Sequence, residues 1–378
     1  MIILITNAVG QTIIFTLILA AALLFFVRGR KSPGWFPSSL TTELKGMAIL
    51  MIVLSHIGYF LVNDHQFLWP LTIMAGVGVN LFLFLSGYGL TASQMQKYLS
   101  PGQFYKKRLI KLFIPFWLML IVFLALDYFV LHLSYSWAFF GQAVIGIFRH
   151  ADLYQDFNSP LWYLTFILGS YLIYPLVFLK KRPWLSAIFI YLIGYIFLSL
   201  KLDFFNGISY MYKLHLIAFP LGVLAAWAVT KLPDAAIMEK LSRGWKAVGY
   251  YLVMAFLLAV ALYFVIHSAV GTPLEEEASI VVVIALCLFF MLKKWEFRLF
   301  YLFGLYSYEI YLWHWPILYR YDIFYRFLPA WLATILYLAF FVGLGWAITQ
   351  LTDLLTKHPA LGAGKAAAGE AAPLKSAN

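Results

Sequence analysis

At 378 residues, with 63% hydrophobic, 19% aromatic and only 11% charged side chains, the chain carries far less charge than a soluble domain, for which roughly 25% is usual. Its mean hydropathy of +0.86 excludes a soluble fold and points to an all-α, polytopic transmembrane helix bundle. A formal charge of +11 would suit a nucleic-acid binder, but the placement of the cations accounts for it differently. The one cysteine, Cys287, excludes a disulfide framework and a cysteine-rich metal site.

The apolar runs predict eleven spans, at about 2–27, 45–62, 71–92, 109–131, 160–179, 184–200, 211–230, 247–268, 278–292, 299–319 and 329–351. Segment 134–148 is too short to cross and reads as a re-entrant or interfacial helix. Counted on alternate loops, 22 of the 27 Lys and Arg residues fall on one side, from Arg28, Arg30, Lys31 and Lys45 to Lys357, Lys365 and Lys375. The other side keeps Arg149, Lys201, Lys213, Arg320 and Arg326. This bias makes the first side cytoplasmic, with the N-terminus outside and the C-terminus inside. Topology explains the charge, and nucleic acid has no place in the account. Three regions follow: 1–44, an extra helix and its loop; 45–351, the main membrane domain; and 352–378, an Ala/Gly-rich tail expected to be disordered.

No basic segment precedes residues 2–27, so they read as an uncleaved first helix rather than a signal peptide. After the turn-rich loop 28–44, the stretch ELKGMAILMIVLSHIG (43–58) sets Lys45 at the base of an apolar helix and His56 eleven residues on. Eleven steps of about 100° bring both side chains to one face, about 16 Å apart along the axis. Lys45 is thus expected at a membrane edge, and His56 near the middle of a hydrocarbon layer about 30 Å thick. An ionisable group at that depth is a functional candidate; the plainer alternative is a His bonded between helices, with Lys45 as a topology anchor.

The next span carries Gly76, Gly78, Gly87 and Gly89, which suit close helix packing, together with Ser86 and Asn80, the latter able to orient a polar neighbour. Lys107, Arg108 and Lys111 then cluster ahead of Pro115, either as a topology signal or as an anion site for a phosphorylated cofactor. His150 and Asp152 are too sparse a set for a metal ion, and no metal site is expected elsewhere. Trp162 and Tyr163 open span 160–179 as interfacial aromatics. His215 and His267, near the outer ends of later spans, read as interfacial, and Glu275 to Glu277 as a solvated patch.

The second informative stretch is FGLYSYEIYLWHWPIL. Gly304, Ser307, Tyr311 and His314 line one helical stripe, while Glu309 points to nearly the opposite side at a depth close to that of His56. A carboxylate and an imidazole at matching depth suggest acid–base chemistry or a proton path.

Taken in order, Lys45-Gly46-x-Ala48 followed by His56, then GVGVNLFLFLSGYG, KKRLIKLFIP, PLWYL and SYEIYLWHWP resemble the motifs of bacterial integral-membrane acyltransferases. The chain is similar, over about residues 40–351, to the acyltransferase-3 family, which includes O-antigen and exopolysaccharide O-acetylases. The resemblance implies a ten-helix core with one extra N-terminal helix, in the bacterial inner membrane. Two positions depart from the family pattern. Lys45 stands where the family usually has Arg, so a point charge replaces a bidentate fork. Ile167 and Leu168 stand where many members carry adjacent glutamates. The hydrolase-like domain fused to some relatives is not expected here, since about 27 residues follow the last span.

The function implied is transfer of an acyl group, foremost acetyl, from acyl-CoA to a hydroxyl of a cell-surface or exported polysaccharide or lipid-linked glycan. CoA phosphates would meet Lys107, Arg108 and Lys111. His56 would act as general base, with Lys45 and Glu309 as its catalytic partners. Asn80, Ser86, Trp162, Ser307, Tyr311 and His314 would bind substrate. No metal is needed, because a thioester is already activated; direct transfer and an acyl-enzyme both remain open. A proton-coupled transporter or flippase would use the same ionisable groups as a relay, and a partner-binding scaffold would tolerate their neutralisation.

Overall fold

In lipid, every backbone N–H and C=O has to find its partner within the chain, and helices achieve this locally. The computed structural model, which describes residues 3–202, 205 and 207–356, is accordingly helical almost throughout. Its elements are α1 (Ala8–Phe25), β1 (Val27–Gly29), α2 (Ser38–Ser55), α3 (Ala75–Gln96), α4 (Pro101–Phe129), α5 (Trp137–Val144), α6 (Trp162–Val177), α7 (Pro183–Ser199), α8 (Ser209–His215), α9 (Ala218–Val229), α10 (Ile237–Leu241), α11 (Lys246–His267), α12 (Glu275–Leu292), β2 (Trp295–Phe297), α13 (Arg298–Leu305), α14 (Ser307–Arg320) and α15 (Ala330–Thr356). Among the described residues, 8 helical stretches are long and apolar enough to cross a membrane. The remaining three expected spans take other forms. α7 is a shorter apolar helix, α12 carries Glu275, Glu276 and Glu277 in its first turn, and the 299–319 segment breaks at Tyr306 into α13 and α14.

Boundaries differ from the sequence reading in two places. α2 begins at Ser38, directly after Pro37, because Leu40 and Leu44 carry its buried face below Lys45. Lys45 therefore lies about two turns inside the helix, and His56 in the last quarter of the Ser38–Leu61 stretch. At the other end of the chain, α15 runs on to Thr356. The rest of the expected tail, with Lys357, Lys365 and Lys375, lies outside the described residues.

Both ends of the bundle are tied. At the lysine-rich end, β1 pairs antiparallel with β2, Arg28 opposite Glu296, which joins the loop after α1 to the loop after α12. Beneath this ribbon, Lys293 Nζ bonds both carboxylate oxygens of Glu43 at 2.7 and 2.8 Å and the Trp295 carbonyl at 2.5 Å. The Phe297 N–H adds a 2.6 Å bond to Glu43. Both side chains are 1% exposed; removing one partner from such a pair costs about 3–5 kcal/mol, because the other charge stays buried and uncompensated.

At the opposite end, Ile3 bonds Leu61 and Asn63 through the backbone. Buried Asp127 there gathers Arg320, Tyr135 and Tyr321, and Arg320 also donates to the Asp156 carbonyl at 2.8 Å. Burial pushes the Tyr135 phenol up to about 12, so it remains a neutral donor to Asp127. Arg320, one of the few cations at this end, is thereby paired.

Glycines set the two tightest crossings. A Cβ on Gly46 would run into the Phe300 carbonyl, and one on Gly304 into that of Thr42, so α2 and α13 touch backbone to backbone. Gly87 and Gly222 do the same for α3 and α9 against Phe219 and Phe84. Gly89, expected to pack likewise, meets open space.

Candidate active site

α2 does not end as an α-helix. It widens into a π-helical turn over His56–Leu61, and His56 is the first residue of that turn. Such wider turns re-aim side chains and recur at functional sites. Here the turn presents His56 Nδ1 to His314 Nε2 of α14 at 2.7 Å, with the rings stacked at 5.0 Å between centroids and 13° apart.

The surroundings of His314 decide which nitrogen carries which proton. His314 is fully buried, and its Nδ1 lies 3.0 Å from the Ile310 carbonyl and 2.9 Å from the Tyr311 carbonyl. Carbonyl oxygens only accept, so His314 Nδ1 holds the hydrogen and its Nε2 offers a lone pair. His56 Nδ1–H then donates to that lone pair, and the free lone pair of His56 is on Nε2. Half-buried His56 makes no protein hydrogen bond through Nε2 among the described residues, and Nε2 is not one of the sealed, unpartnered atoms. The arrangement is that of an oriented base: one imidazole fixes the tautomer of the next and leaves its outer nitrogen available.

Aromatics enclose the pair. Trp315 meets the His56 ring edge-on at 5.2 Å and Phe60 does so at 5.9 Å. Trp315 is 1% exposed and its indole N–H has no partner among the described residues, an uncommon state for a buried donor. Pro316 cannot bond the Leu312 carbonyl within the helix, and Asn158 Nδ2 occupies that acceptor at 2.9 Å. The loop before α6 is thus pinned beside His314.

A tyrosine stripe leads from this pair toward the lysine-rich end. Tyr311 stacks on Tyr308 one turn below it, and meets Tyr163 of α6 edge-on at 5.3 Å. Ser86 of α3 bonds Tyr163. Tyr308 donates to the Leu112 carbonyl at 2.7 Å, next to Lys111. There Lys45, Arg108 and Lys111 lie within electrostatic range of one another's charge at Lys45, and Lys107 stands with Arg108 and Lys97. Among the described residues, Lys45, Lys107 and Arg108 form no ion pair. Like charges gathered in this way repel, and an anion bound among them relieves that repulsion.

Other residues singled out from sequence lie elsewhere. The Glu309 carboxyl bonds Thr349 and senses Asp353 on α15, so the imidazole meets His314 rather than Glu309. The reason is the break at Tyr306, which turns the Tyr308–Tyr311–His314 face of α14 inward. Gly304 consequently belongs to a different helix from the rest of its expected stripe. The Ser307 hydroxyl donates to the Gly304 carbonyl, and Tyr311 donates to the Pro160 carbonyl at 2.7 Å, so both hydroxyls are committed to the fold.

Asn80 and Trp162 gather around His215, a residue that sequence position marks as merely interfacial. His215 Nδ1 lies 2.8 Å from Asn80 Oδ1, Asn80 Nδ2 donates to Ser279 Oγ at 2.8 Å, and Trp162 stacks on the imidazole at 5.4 Å. This second buried polar group joins α3, α6, α8 and α12. Trp315 and Phe60 are absent from the sequence-derived set. Their signal is position: Phe60 follows His56 by four residues, and Trp315 adjoins His314.

Compared with curated proteins and with solved structures, the chain finds no match in either. The family model described as "Acyltransferase domain", that of acyltransferase-3, matches residues 44–350. That region contains the histidine pair, the tyrosine stripe and the cation cluster, and leaves α1 outside. The chain therefore belongs to the acyltransferase-3 family and is a multi-pass membrane acyltransferase.

Proposed function

We propose that this acyltransferase moves an acyl group, acetyl foremost, from acyl-CoA to a hydroxyl of a surface or exported glycan, with His56 as general base. The observation that carries the reading is the His56–His314 pair, whose geometry leaves the Nε2 lone pair of His56 unspent. The phosphates of CoA bind among Lys45, Lys107, Arg108 and Lys111, and its flexible arm follows Tyr308 and Tyr311 inward. His56 Nε2 takes the acceptor's hydroxyl proton as that oxygen bonds to the thioester carbonyl carbon. The C–S bond then breaks, and the departing CoA sulfur takes the proton back from His56. The unpartnered Trp315 N–H supports a donor role toward the carbonyl oxygen as charge gathers on it. His314 stays neutral throughout and holds the base in its productive tautomer.

Purified protein in liposomes, given labelled acyl-CoA and glycan, is expected to transfer or hydrolyse the label only when His56 is present. Protein that leaves acyl-CoA untouched, yet moves protons or solute in a His56-dependent way, would sink the enzyme reading in favour of transport. The proposed orientation puts the lysine-rich end in the cytoplasm of a bacterial inner membrane. Impermeant thiol reagent added outside should label a cysteine placed at Glu276 and miss one placed at Lys106; the reverse pattern overturns the orientation.

A further inference from the structure

We infer that Tyr154, in the loop before α6, is a further positioning residue for acyl transfer: it clasps the turn that carries His56 to the helix that carries His314. This rests on the reading of His56 as the base, and adds to it what holds the two imidazoles in register at the end of the bundle away from the lysines. The His56–His314 contact joins two separate elements, and a 2.7 Å bond between them tolerates little sliding.

The way the π-helical turn ends gives the clasp its attachment. The chain leaves the turn at Val62 in an extended conformation, so the last carbonyls have no N–H further along the helix to accept from. The last two are both taken from outside. The Ile3 N–H donates to the Leu61 carbonyl at 2.6 Å, and the Tyr154 hydroxyl donates to the Phe60 carbonyl at 3.1 Å. Tyr154 meets α14 through its other polar group, a backbone carbonyl that accepts from the Tyr319 hydroxyl at 3.0 Å. One residue therefore bonds both the turn, just beyond His56, and α14, just beyond His314.

The surrounding segment holds Tyr154 at that point. Asp152 Oδ1 accepts from the N–H groups of Tyr154 and Gln155 at 2.9 and 3.0 Å, and Asp156 Oδ2 accepts from the Asp152 N–H at 2.7 Å. From there the chain runs antiparallel to α14: Arg320 bonds the Asp156 carbonyl, Asn158 the Leu312 carbonyl, and Tyr311 the Pro160 carbonyl. Rings continue the clasp toward the base. Tyr154 meets Tyr319 at 5.7 Å, Tyr319 stacks on Trp315 at 5.6 Å, and Trp315 meets His56 edge-on. Packing gives little reason for Tyr154 itself. At 52% exposed it buries little apolar surface, unlike Asn158 and Ser159 at 2% and 3%. What it contributes is two bonds, one to each element that carries a histidine.

The test uses the full chain in lipid nanodiscs and the variants Tyr154→Phe, Tyr319→Phe and their combination, each of which loses a hydroxyl and keeps its ring. Diethyl pyrocarbonate, which modifies the open nitrogen of a neutral imidazole, is applied without acyl-CoA, and modification of His56 is followed by peptide mass spectrometry. Losing one such bond should speed His56 modification about fivefold and leave that of His267 unchanged. A base so loosened should show kcat about tenfold lower, with the KM for acyl-CoA unchanged. Because the two bonds act in series, the double variant should match the single ones rather than multiply their losses. His56 modification unchanged in both single variants, or losses in kcat that multiply, overturns the proposal. Faster His56 modification in the variants of a protein that does not consume acyl-CoA supports the clasp and sinks the transferase reading. Acyl transfer by the wild type, with modification and kcat unaltered in the variants, overturns the clasp alone.

Discussion

Replacing His56 by alanine is expected to lower acyl transfer by about 10²–10⁴-fold, the usual contribution of a positioned general base. The amount of folded protein in the membrane should not change, since half-buried His56 makes one side-chain hydrogen bond. The dependence on His314 is more informative, because His314 touches the base and not the reacting atoms in this reading. His314→Phe removes the lone pair that His56 Nδ1–H needs, strands that donor in an aromatic enclosure, and frees the tautomer. It should depress kcat while leaving the KM for acyl-CoA nearly unchanged. His314→Gln can still offer an acceptor and should recover part of the loss, an outcome that a purely structural role for His314 does not predict. Trp315→Phe keeps the ring that packs on His56 and loses only the unpartnered N–H, so a fall on the order of 10²-fold would support it as a donor to the carbonyl oxygen. His267, half-buried and with its imidazole bonded, among the described residues, to the Tyr263 carbonyl of its own helix, serves as the control: His267→Ala should do little. Steady-state kinetics in proteoliposomes, normalised to inserted protein, measures all of these. Near-normal turnover by His56→Ala would end the proposed mechanism.

Neutralising the cation cluster should act on the donor instead. Hydrogen bonds to charged groups contribute about 1.5–3 kcal/mol, so Arg108→Gln or Lys45→Met should raise the KM for acyl-CoA roughly 10- to 150-fold. Lys111→Gln should act in the same direction. Lys45→Arg should retain activity, since a cation remains at the same point of α2 and gains a second donor for phosphate. Added salt should raise the wild-type KM and have less effect on the neutralised variants, because screening weakens only charges that are present. An unchanged KM in a correctly inserted Arg108→Gln, Lys111→Gln double variant would reduce the cluster to a topology signal. These cations act before chemistry and His56 during it, so kinetics can separate the two ends of the proposed path.

What the sequence determines by itself follows from solvent and period. A bilayer admits only closed hydrogen bonding, so apolar run length alone announces a polytopic helical bundle, and the asymmetry of lysines predicts its orientation. Helical period likewise puts Lys45 and His56 on one face of α2 before any coordinate is known. Beyond one helix, period is silent. Whether His56 meets His314 or Glu309 depends on which face of α14 turns inward, and that is decided by the break at Tyr306 and by the backbone contact of Gly46 with α13. The same limit explains His215: its neighbours Asn80, Trp162 and Ser279 come from three other helices, so nothing near it in the chain marks it as part of a buried polar group. The start of α2 was hidden for a different reason. In sequence, the charge of Lys45 marks an edge, whereas the buried Leu40 and Leu44 and the Glu43–Lys293 pair let the helix continue below it. Local chemistry named the groups able to react, and packing between helices, which no single period encodes, chose which of them touch.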